Sequence, residues 1–111
     1  MFELGEHKIN IDHVIKMFTD YQYTKLVLTN GSVRTSLDPF EVENLAPKPS
    51  PFLPLTVSSS KTTELIHRDH ITALLPNERG GAKVLLSDGS HIWTLEDHDA
   101  ILDMMSQCND G

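Results

Sequence analysis

The segment KLVLTNGS at residues 25–32 recurs as KVLLSDGS at residues 83–90, and these two stretches decide the fold. Each copy ends near a dipeptide, Asn30-Gly31 or Asp88-Gly89, that strongly favours a two-residue turn between antiparallel strands. Such a turn needs positive φ at both central positions, and these residue types tolerate it most easily. The sequence therefore predicts a β-hairpin at the centre of each copy.

The likeness extends outward from the hairpins. Asp12-His13-Val14 recurs as Asp69-His70-Ile71, and Leu37-Asp38 recurs as Leu95-Glu96. We therefore predict an α+β fold, a tandem β-β-β-α repeat with antiparallel sheets and pseudo-twofold symmetry. The predicted strands of the two copies are residues 8–18, 24–29 and 32–37, and residues 64–75, 82–87 and 90–95.

A helix is expected to close each copy. In Asp38-Pro39-Phe40-Glu41, a capping carboxylate precedes a proline at the first helical position, and a glutamate is placed to reach back. Thr94 or Glu96 is expected to cap the second helix, which should continue to about residue 107. The expected apolar anchors are Phe40, Val42 and Leu45 in the first helix, and Ala100, Ile101, Met104, Met105 and Cys108 in the second.

A proline-rich connector joins the copies. Four of the six prolines lie between residues 47 and 54, and three serines follow at residues 58–60. Residues 46–60 are therefore predicted to connect repeat one, about 8–45, to repeat two, about 61–108. Because the connector also carries apolar side chains, we expect it to pack, with an edge strand near Leu55. The length of 111 residues predicts a single domain over residues 1–111.

The two-residue turns imply a definite pairing of side chains. In the first hairpin, Leu28 should face Val33 and Leu26 should face Thr35, which makes one face apolar. In the second hairpin, Leu86 should face His91 and Val84 should face Trp93 on one side, while Leu85 faces Ile92 on the other. That hairpin is therefore expected to be buried on both faces, against this chain, a second copy or a partner.

The formal net charge of −7 is concentrated at the end of the chain. All nine lysines and arginines lie at or before Lys83, whereas six of the sixteen acidic residues lie after it. A negative end repels phosphates, so the charge pattern disfavours nucleic acid as a partner. It fits either a solubilising face or a docking surface for a basic partner. The six acidic residues are Asp88, Glu96, Asp97, Asp99, Asp103 and Asp110.

No motif in the sequence indicates catalysis or a cofactor. His67-Arg68-Asp69-His70 is the densest histidine cluster, but on a strand its two imidazoles would point to opposite faces, so no metal site is expected. His13 and His70 occupy matched places in the copies, which favours a structural role over proton transfer. Gly80-Gly81 is expected to be a loop, without phosphate-loop chemistry. The chain is predicted to be a cytoplasmic protein, neither an enzyme nor membrane-bound.

The segments 9–45 and 66–95 resemble the LytTR-type output domains of response regulators, in which an isoleucine-rich strand precedes a hairpin with an Asn-Gly or Asp-Gly turn and then a short helix. The same pattern is similar to the small FlbD-like flagellar proteins, in a duplicated form. The LytTR resemblance implies DNA contacts from a central loop and from the region of the final strand. The family makes those contacts with Arg, His and Lys, whereas in those places this chain has Thr56-Val57-Ser58-Ser59-Ser60 and Thr94-Leu95-Glu96.

The sequence thus leaves two functions open. The first is a non-catalytic regulatory or adaptor module that binds a protein partner or a second copy of itself, with a homodimer as one form. The alternative is a LytTR-like, sequence-specific DNA-binding regulator. The first uses Leu85, Ile92, Trp93, Asp99 and Asp103, and the alternative uses Lys61, Arg68, Arg79 and Lys83.

Overall fold

A computed structural model of the protein describes residues 2–109, without the side chains of residues 108 and 109. The Cys108 side chain and Asp110, both named above, lie outside this part. Within residues 2–109 there are two helices, α1 (Pro39–Leu45) and α2 (His98–Asn109). The strands are β1 (Phe2–Leu4), β2 (His7–Ile9), β3 (Val14–Asp20), β4 (Tyr23–Leu28), β5 (Gly31–Thr35), β6 (Phe52–Thr56), β7 (Thr63–His67), β8 (Ile71–Pro76), β9 (Ala82–Leu86) and β10 (His91–Thr94).

All the strand pairs are antiparallel, so the predicted α+β class with antiparallel sheets is confirmed. β1 and β2 form a two-stranded sheet. The middle sheet has five strands in the order β5-β4-β3-β7-β6, and the third sheet has the order β10-β9-β8. The connector thus supplies an edge strand, β6, which includes Leu55 as expected.

The long leading strands predicted at residues 8–18 and 64–75 are each interrupted. A first 3₁₀ turn (Ile11–His13) separates β2 from β3, and a second 3₁₀ turn (Arg68–His70) separates β7 from β8. At each turn the chain leaves one sheet and enters the next. The local cause is a side chain before the turn that accepts a backbone N–H, because this stabilises a bend over an extended strand.

Both halves of the chain have the element order 3₁₀ turn, three strands, helix. The matched histidines make matched contacts: Nδ1 of His13 lies 3.2 Å from Oγ1 of Thr29, and Nδ1 of His70 lies 2.6 Å from Oγ of Ser87. In addition, Nε2 of His70 lies 2.6 Å from the carbonyl oxygen of Asp12. Both histidines thus make the side-chain hydrogen bonds at turns that a structural role requires.

The predicted pairing of the first hairpin is wrong by two residues. Leu26, rather than Leu28, faces Val33, and Leu28 faces Gly31. The loop therefore consists of residues 29–30, and Gly31 begins β5. A shift of two residues preserves the faces of the strands, so the apolar side of this hairpin is the expected one.

The second hairpin differs more, because its loop has three residues, 87–89. Leu86 N–H donates to the Ser90 carbonyl at 2.9 Å, and Gly89 adopts a φ of +88°. A three-residue loop with glycine in the left-handed region moves the register by one residue, which turns one strand over relative to the other. Ile92 therefore faces Val84, and Trp93 faces Lys83.

Within this chain the hairpin is consequently buried on one face only, so the expectation that the chain itself covers both faces is wrong. Its inner face consists of buried side chains, among them Val84, Leu86 and Ile92. Its outer face carries half-buried or exposed side chains, namely Lys83, Leu85, His91 and Trp93.

Two hydrophobic cores lie on opposite faces of the five-stranded sheet. In the first core, Met17, Leu26 and Leu65 pack with side chains of β1, β2 and α1. In the second core, Ile15, Leu55 and Ile66 pack with side chains of β8–β10 and α2. The five-stranded sheet is thus the middle layer, and the second core attaches the three-stranded sheet to it.

The helix starts were predicted unequally well. Asp38 caps α1 by accepting the Glu41 N–H at 2.9 Å, and this backbone hydrogen bond lowers the pKa of Asp38. However, Phe40 and Leu45 are exposed, and Val42 anchors α1 together with Pro39. In α2, Ile101 is fully buried, with Met104 and Met105 half-buried beside it.

Among the described helices, none is long and apolar enough to cross a membrane.

Candidate functional site

The loop between β6 and β7 lies against the end of β10. We call residues 57–62 the central loop. Val57 forms an isolated β-bridge with Thr94, and the Ser58 N–H donates to the Trp93 carbonyl at 2.8 Å. The Leu95 N–H donates to the Thr56 carbonyl at 2.9 Å. Two segments almost 40 residues apart in sequence therefore form one continuous surface.

Glu96 fastens this contact. Its carboxylate accepts the Thr56 N–H at 2.8 Å and the Thr56 hydroxyl at 2.9 Å. The Thr94 hydroxyl donates to the Glu96 backbone carbonyl at 2.9 Å. Because both side chains are used in this way, neither Thr94 nor Glu96 is seen to cap α2 as the sequence suggested.

The exposed side of this contact carries cations, hydroxyls and one large aromatic ring. Nζ of Lys83 lies 5.3 Å from the centroid of the Trp93 ring, and Trp93 is 41% exposed. Lys61 is exposed in the central loop with a φ of 57°. We define the loop–strand surface as Ser58, Ser59, Ser60, Lys61, Lys83 and Trp93.

The loop between β8 and β9 borders the same end of β10 and presents Arg79 to solvent. Its last residue, Gly81, has a φ of +81° and packs directly against the carbonyl group of Thr94. The Gly81 N–H donates to the Asp97 carboxylate at 2.9 Å. Only glycine fits this close approach of two backbones.

Several carboxylates near the loop–strand surface are already hydrogen-bonded. Those of Glu96 and Asp97 accept donors from Thr56 and Gly81. Asp88 lies away from this surface, in the turn at the opposite end of β9 and β10, where hydrogen bonds from the Ser90 hydroxyl and N–H lower its pKa. A carboxylate whose oxygens accept hydrogen bonds within the protein is better tolerated beside an anionic ligand than a free one.

The structure separates the residues predicted to bind a protein partner. Leu85 and Trp93 share the outer face of the three-stranded sheet, whereas Ile92 is only 7% exposed and belongs to the second core. Asp99 and Asp103 are exposed on α2. Ile92 therefore cannot belong to the same surface as Leu85 and Trp93.

The structure also divides the residues of the DNA-binding alternative. Lys61 and Lys83 lie on the loop–strand surface, and Arg79 lies in the adjoining loop. Arg68 lies beyond the opposite end of β7 from Lys61, half-buried, with Nε 3.3 Å from the Asp69 carboxylate. Sequence reasoning did not find the pairing of Lys83 with Trp93 or the role of Glu96. Had the second hairpin been predicted with a three-residue loop, its register would have placed Trp93 opposite Lys83.

His67 and His70 do not point to opposite faces, because His70 lies in the second 3₁₀ turn and not on a strand. Their ring centroids are 5.1 Å apart, and the two rings meet edge to face. No group of three or more histidine, cysteine, aspartate or glutamate side chains converges as a metal site within residues 2–107. His67 is fully buried, and its burial lowers the pKa of the imidazole.

Comparison with known proteins gives a match at the level of structure. No protein-family model matches the sequence, and no curated protein matches it. Among solved structures, the chain is similar to the LytTr DNA-binding domain of a protein from Bacillus cereus described as a methyl-accepting/DNA response regulator. The TM-score is 0.66 at 12% sequence identity, and the match covers 95% of this chain and 91% of that one.

This likeness confirms the LytTR resemblance inferred from the sequence and corrects two expectations. The adaptor reading is wrong as the main interpretation, because the matched fold is that of a DNA-binding domain and favours the alternative. For the same reason, the expectation that nucleic acid is disfavoured is wrong. That expectation rested on the acidic residues after Lys83, whereas binding of an anion depends on the charges of the surface that meets it.

Proposed function

We propose that this protein is a DNA-binding domain that contacts duplex DNA through the loop–strand surface. The observation that carries the proposal is the fold, which matches a LytTr DNA-binding domain over nearly the whole chain. The LytTR resemblance implies DNA contacts from a central loop and from the region of the final strand. In this structure those two segments touch, through the hydrogen bond from Ser58 to Trp93.

The chemistry of the loop–strand surface suits a phosphate backbone. Lys61 and Lys83 supply positive charge, and three consecutive serines supply hydroxyl donors beside it. Such groups provide most protein contacts to phosphate and sugar, which set the position of a protein on the duplex. The exposed ring of Trp93 adds a flat apolar face next to the Lys83 ammonium group.

Specific reading of bases requires donors and acceptors at base edges. The three serines of the central loop can hydrogen-bond to either kind of base edge, and Arg79 can donate to guanine in two places at once. In this proposal Lys61 and Lys83 position the protein, while Arg79 and the serine hydroxyls discriminate between sequences. The proposed role is regulatory, cytoplasmic and without catalysis.

The test is fluorescence anisotropy with labelled duplex DNA whose sequence has been selected on this protein from a random pool. With two or three phosphates contacted, the logarithm of the binding constant should fall with the logarithm of salt concentration with a slope of about −2 to −3. Changing Lys61 and Lys83 together to Gln should make the slope shallower by about 2. Arg79→Ala should instead reduce the preference for the selected sequence.

Lys8→Gln is the matched control, since Lys8 is also exposed but lies on β2, away from the loop–strand surface. It should leave both the affinity and the slope unchanged. Failure to bind any duplex at low salt would overturn the proposal. An equal loss of DNA affinity in Lys8→Gln and in the double variant would show that the DNA interface is not the loop–strand surface.

We also propose that the chain is a tandem repeat with pseudo-twofold symmetry. Support comes from the shared element order and from the matched contacts of His13 and His70. In the strands that follow the 3₁₀ turns, the register shifts at the same place, just after Val14 and just after Ile71. Superposition of residues 11–45 on residues 68–105 tests this, since unrelated backbone paths would contradict it.

A further inference from the structure

The second 3₁₀ turn contains a titratable group in a place where the first has none. In the first turn, Oδ1 of Asn10 accepts the Asp12 N–H at 3.1 Å. In the second turn, Nδ1 of His67 accepts the Asp69 N–H, also at 3.1 Å. The same bend is therefore stabilised once by an amide, which does not titrate near neutral pH, and once by an imidazole, which does.

The hydrogen bond fixes the state of the His67 ring. A backbone N–H can only donate, so Nδ1 must offer its lone pair and carry no proton. The proton of the neutral ring is then on Nε2, which is buried without a hydrogen-bond partner among the described residues. A second proton could enter only on Nδ1, where it would face the Asp69 N–H and break the hydrogen bond.

The surroundings of His67 oppose a second proton. The ring is 1% exposed, and Phe52 of β6 packs edge to face against it with centroids 5.5 Å apart. His70 and Arg68 add positive charge, and Asp69 and Asp12 add negative charge, the last from the first 3₁₀ turn. Burial is the largest of these effects and lowers the pKa of His67 below its ordinary value of 6.5.

His70, three residues on, is arranged differently. Its Nε2 donates to the Asp12 carbonyl, and its Nδ1 lies beside the Ser87 hydroxyl, which can either donate or accept. His70 therefore keeps both contacts whether it is neutral or charged. In this turn the hydrogen bond that a proton would break is therefore the one accepted by His67, which lies where the chain passes from β7 in the five-stranded sheet to β8 in the three-stranded sheet.

We propose that His67 makes the second 3₁₀ turn a pH-sensitive junction, which holds the two sheets together at neutral pH and loosens on acidification. The direction follows from linkage. When the folded protein binds the proton less tightly than the unfolded chain, stability is full above the unfolded pKa and falls as pH decreases below it. The junction should therefore weaken from about pH 6.5 downward.

Two measurements test the proposal. The first is hydrogen exchange at the Asp69 amide, corrected for the intrinsic rate, which should accelerate by up to about tenfold per pH unit below pH 6.5 while the Asp12 amide does not follow. The second is the drop in Tm between about pH 7.5 and about pH 5.5, compared between the unaltered protein and His67→Asn. That variant installs the side chain used at the first turn, and it should show a smaller drop.

His7→Asn is the matched control, because His7 is exposed on β2 and undergoes the same chemical change. It should retain the drop in Tm of the unaltered protein. An unchanged drop in His67→Asn, or Asp69 exchange that follows Asp12 at every pH, would overturn the proposal. If His67→Asn does not fold, the ring ¹⁵N shifts of His67 in the unaltered protein decide. Titration at or above the ordinary histidine value contradicts the junction, and a lower value supports it.

Discussion

Among single residues, Glu96 has the clearest structural task, because its two carboxylate oxygens hold the central loop to the end of β10. Both donors belong to Thr56, one from the backbone and one from the hydroxyl group. Hydrogen bonds to a charged acceptor are stronger than neutral ones, and losing one partner leaves a polar group unsatisfied. Glu96 therefore links the stability of the fold to the geometry of the loop–strand surface.

We expect Glu96→Gln to lower the free energy of unfolding by about 1–3 kcal/mol, because the amide nitrogen cannot accept one of the two hydrogen bonds. Urea denaturation measures the change. Asp103→Asn is the control, since Asp103 is exposed on α2 and its change should stay within about 0.5 kcal/mol. Equal stability of the two variants would show that Glu96 does not fasten the loop.

The sequence predicted some residue roles and missed others for a physical reason. The Asp38 cap and the paired histidines were predictable, because each depends on neighbours within a few residues or on a matched copy. Trp93 and Ile92 were placed on the wrong faces, because a dipeptide such as Asp88-Gly89 suits loops of two and of three residues alike. One additional loop residue exchanges the inner and outer faces of a strand.

At the scale of elements, Gly81, just before β9, lies close to the backbone of Thr94, at the end of β10. A Cβ on Gly81 would overlap the Thr94 carbonyl oxygen, whereas a Cβ on Gly80 would meet nothing within 4 Å. Both glycines have positive φ, at +81° and +95°. Alanine at Gly80 would therefore meet backbone strain alone, whereas alanine at Gly81 would meet both strain and steric overlap.

We expect Gly80→Ala to cost about 1 kcal/mol in unfolding free energy through its backbone conformation alone. Gly81→Ala should cost several times more, because β9 and β10 must also separate to admit the methyl group. Thermal unfolding followed by circular dichroism compares the two variants. Similar losses of unfolding free energy in the two variants would indicate that β9 and β10 separate at this end of the sheet at little cost.

At the scale of the whole molecule, the five-stranded sheet belongs to both cores. Leu65 and Ile66 are adjacent on β7, yet Leu65 packs in the first core and Ile66 in the second. Sequence reasoning gave the strands of each half but not this layering. Strand order depends on contacts between distant segments, such as β3 with β7, that no local pattern encodes.

Because one sheet supports both cores, we expect the molecule to unfold in a single transition. Leu65→Ala and Ile66→Ala should each lower the free energy of unfolding by about 2–5 kcal/mol. In both variants the midpoints from Trp93 fluorescence and from far-ultraviolet circular dichroism should coincide. Separate midpoints in Ile66→Ala would mean that the second core melts independently of the first.

The pairing of β3 with β7 also has a consequence for synthesis on the ribosome. Lys16 and Met17 receive their β7 partners, Ile66 and Leu65, only after almost fifty further residues have been translated. Until then β3 has an unpaired edge, so the nascent amino-terminal half leaves the exit tunnel as an incomplete sheet. A chain truncated within the connector would remain in that state, with exposed strand hydrogen-bonding groups available for aggregation.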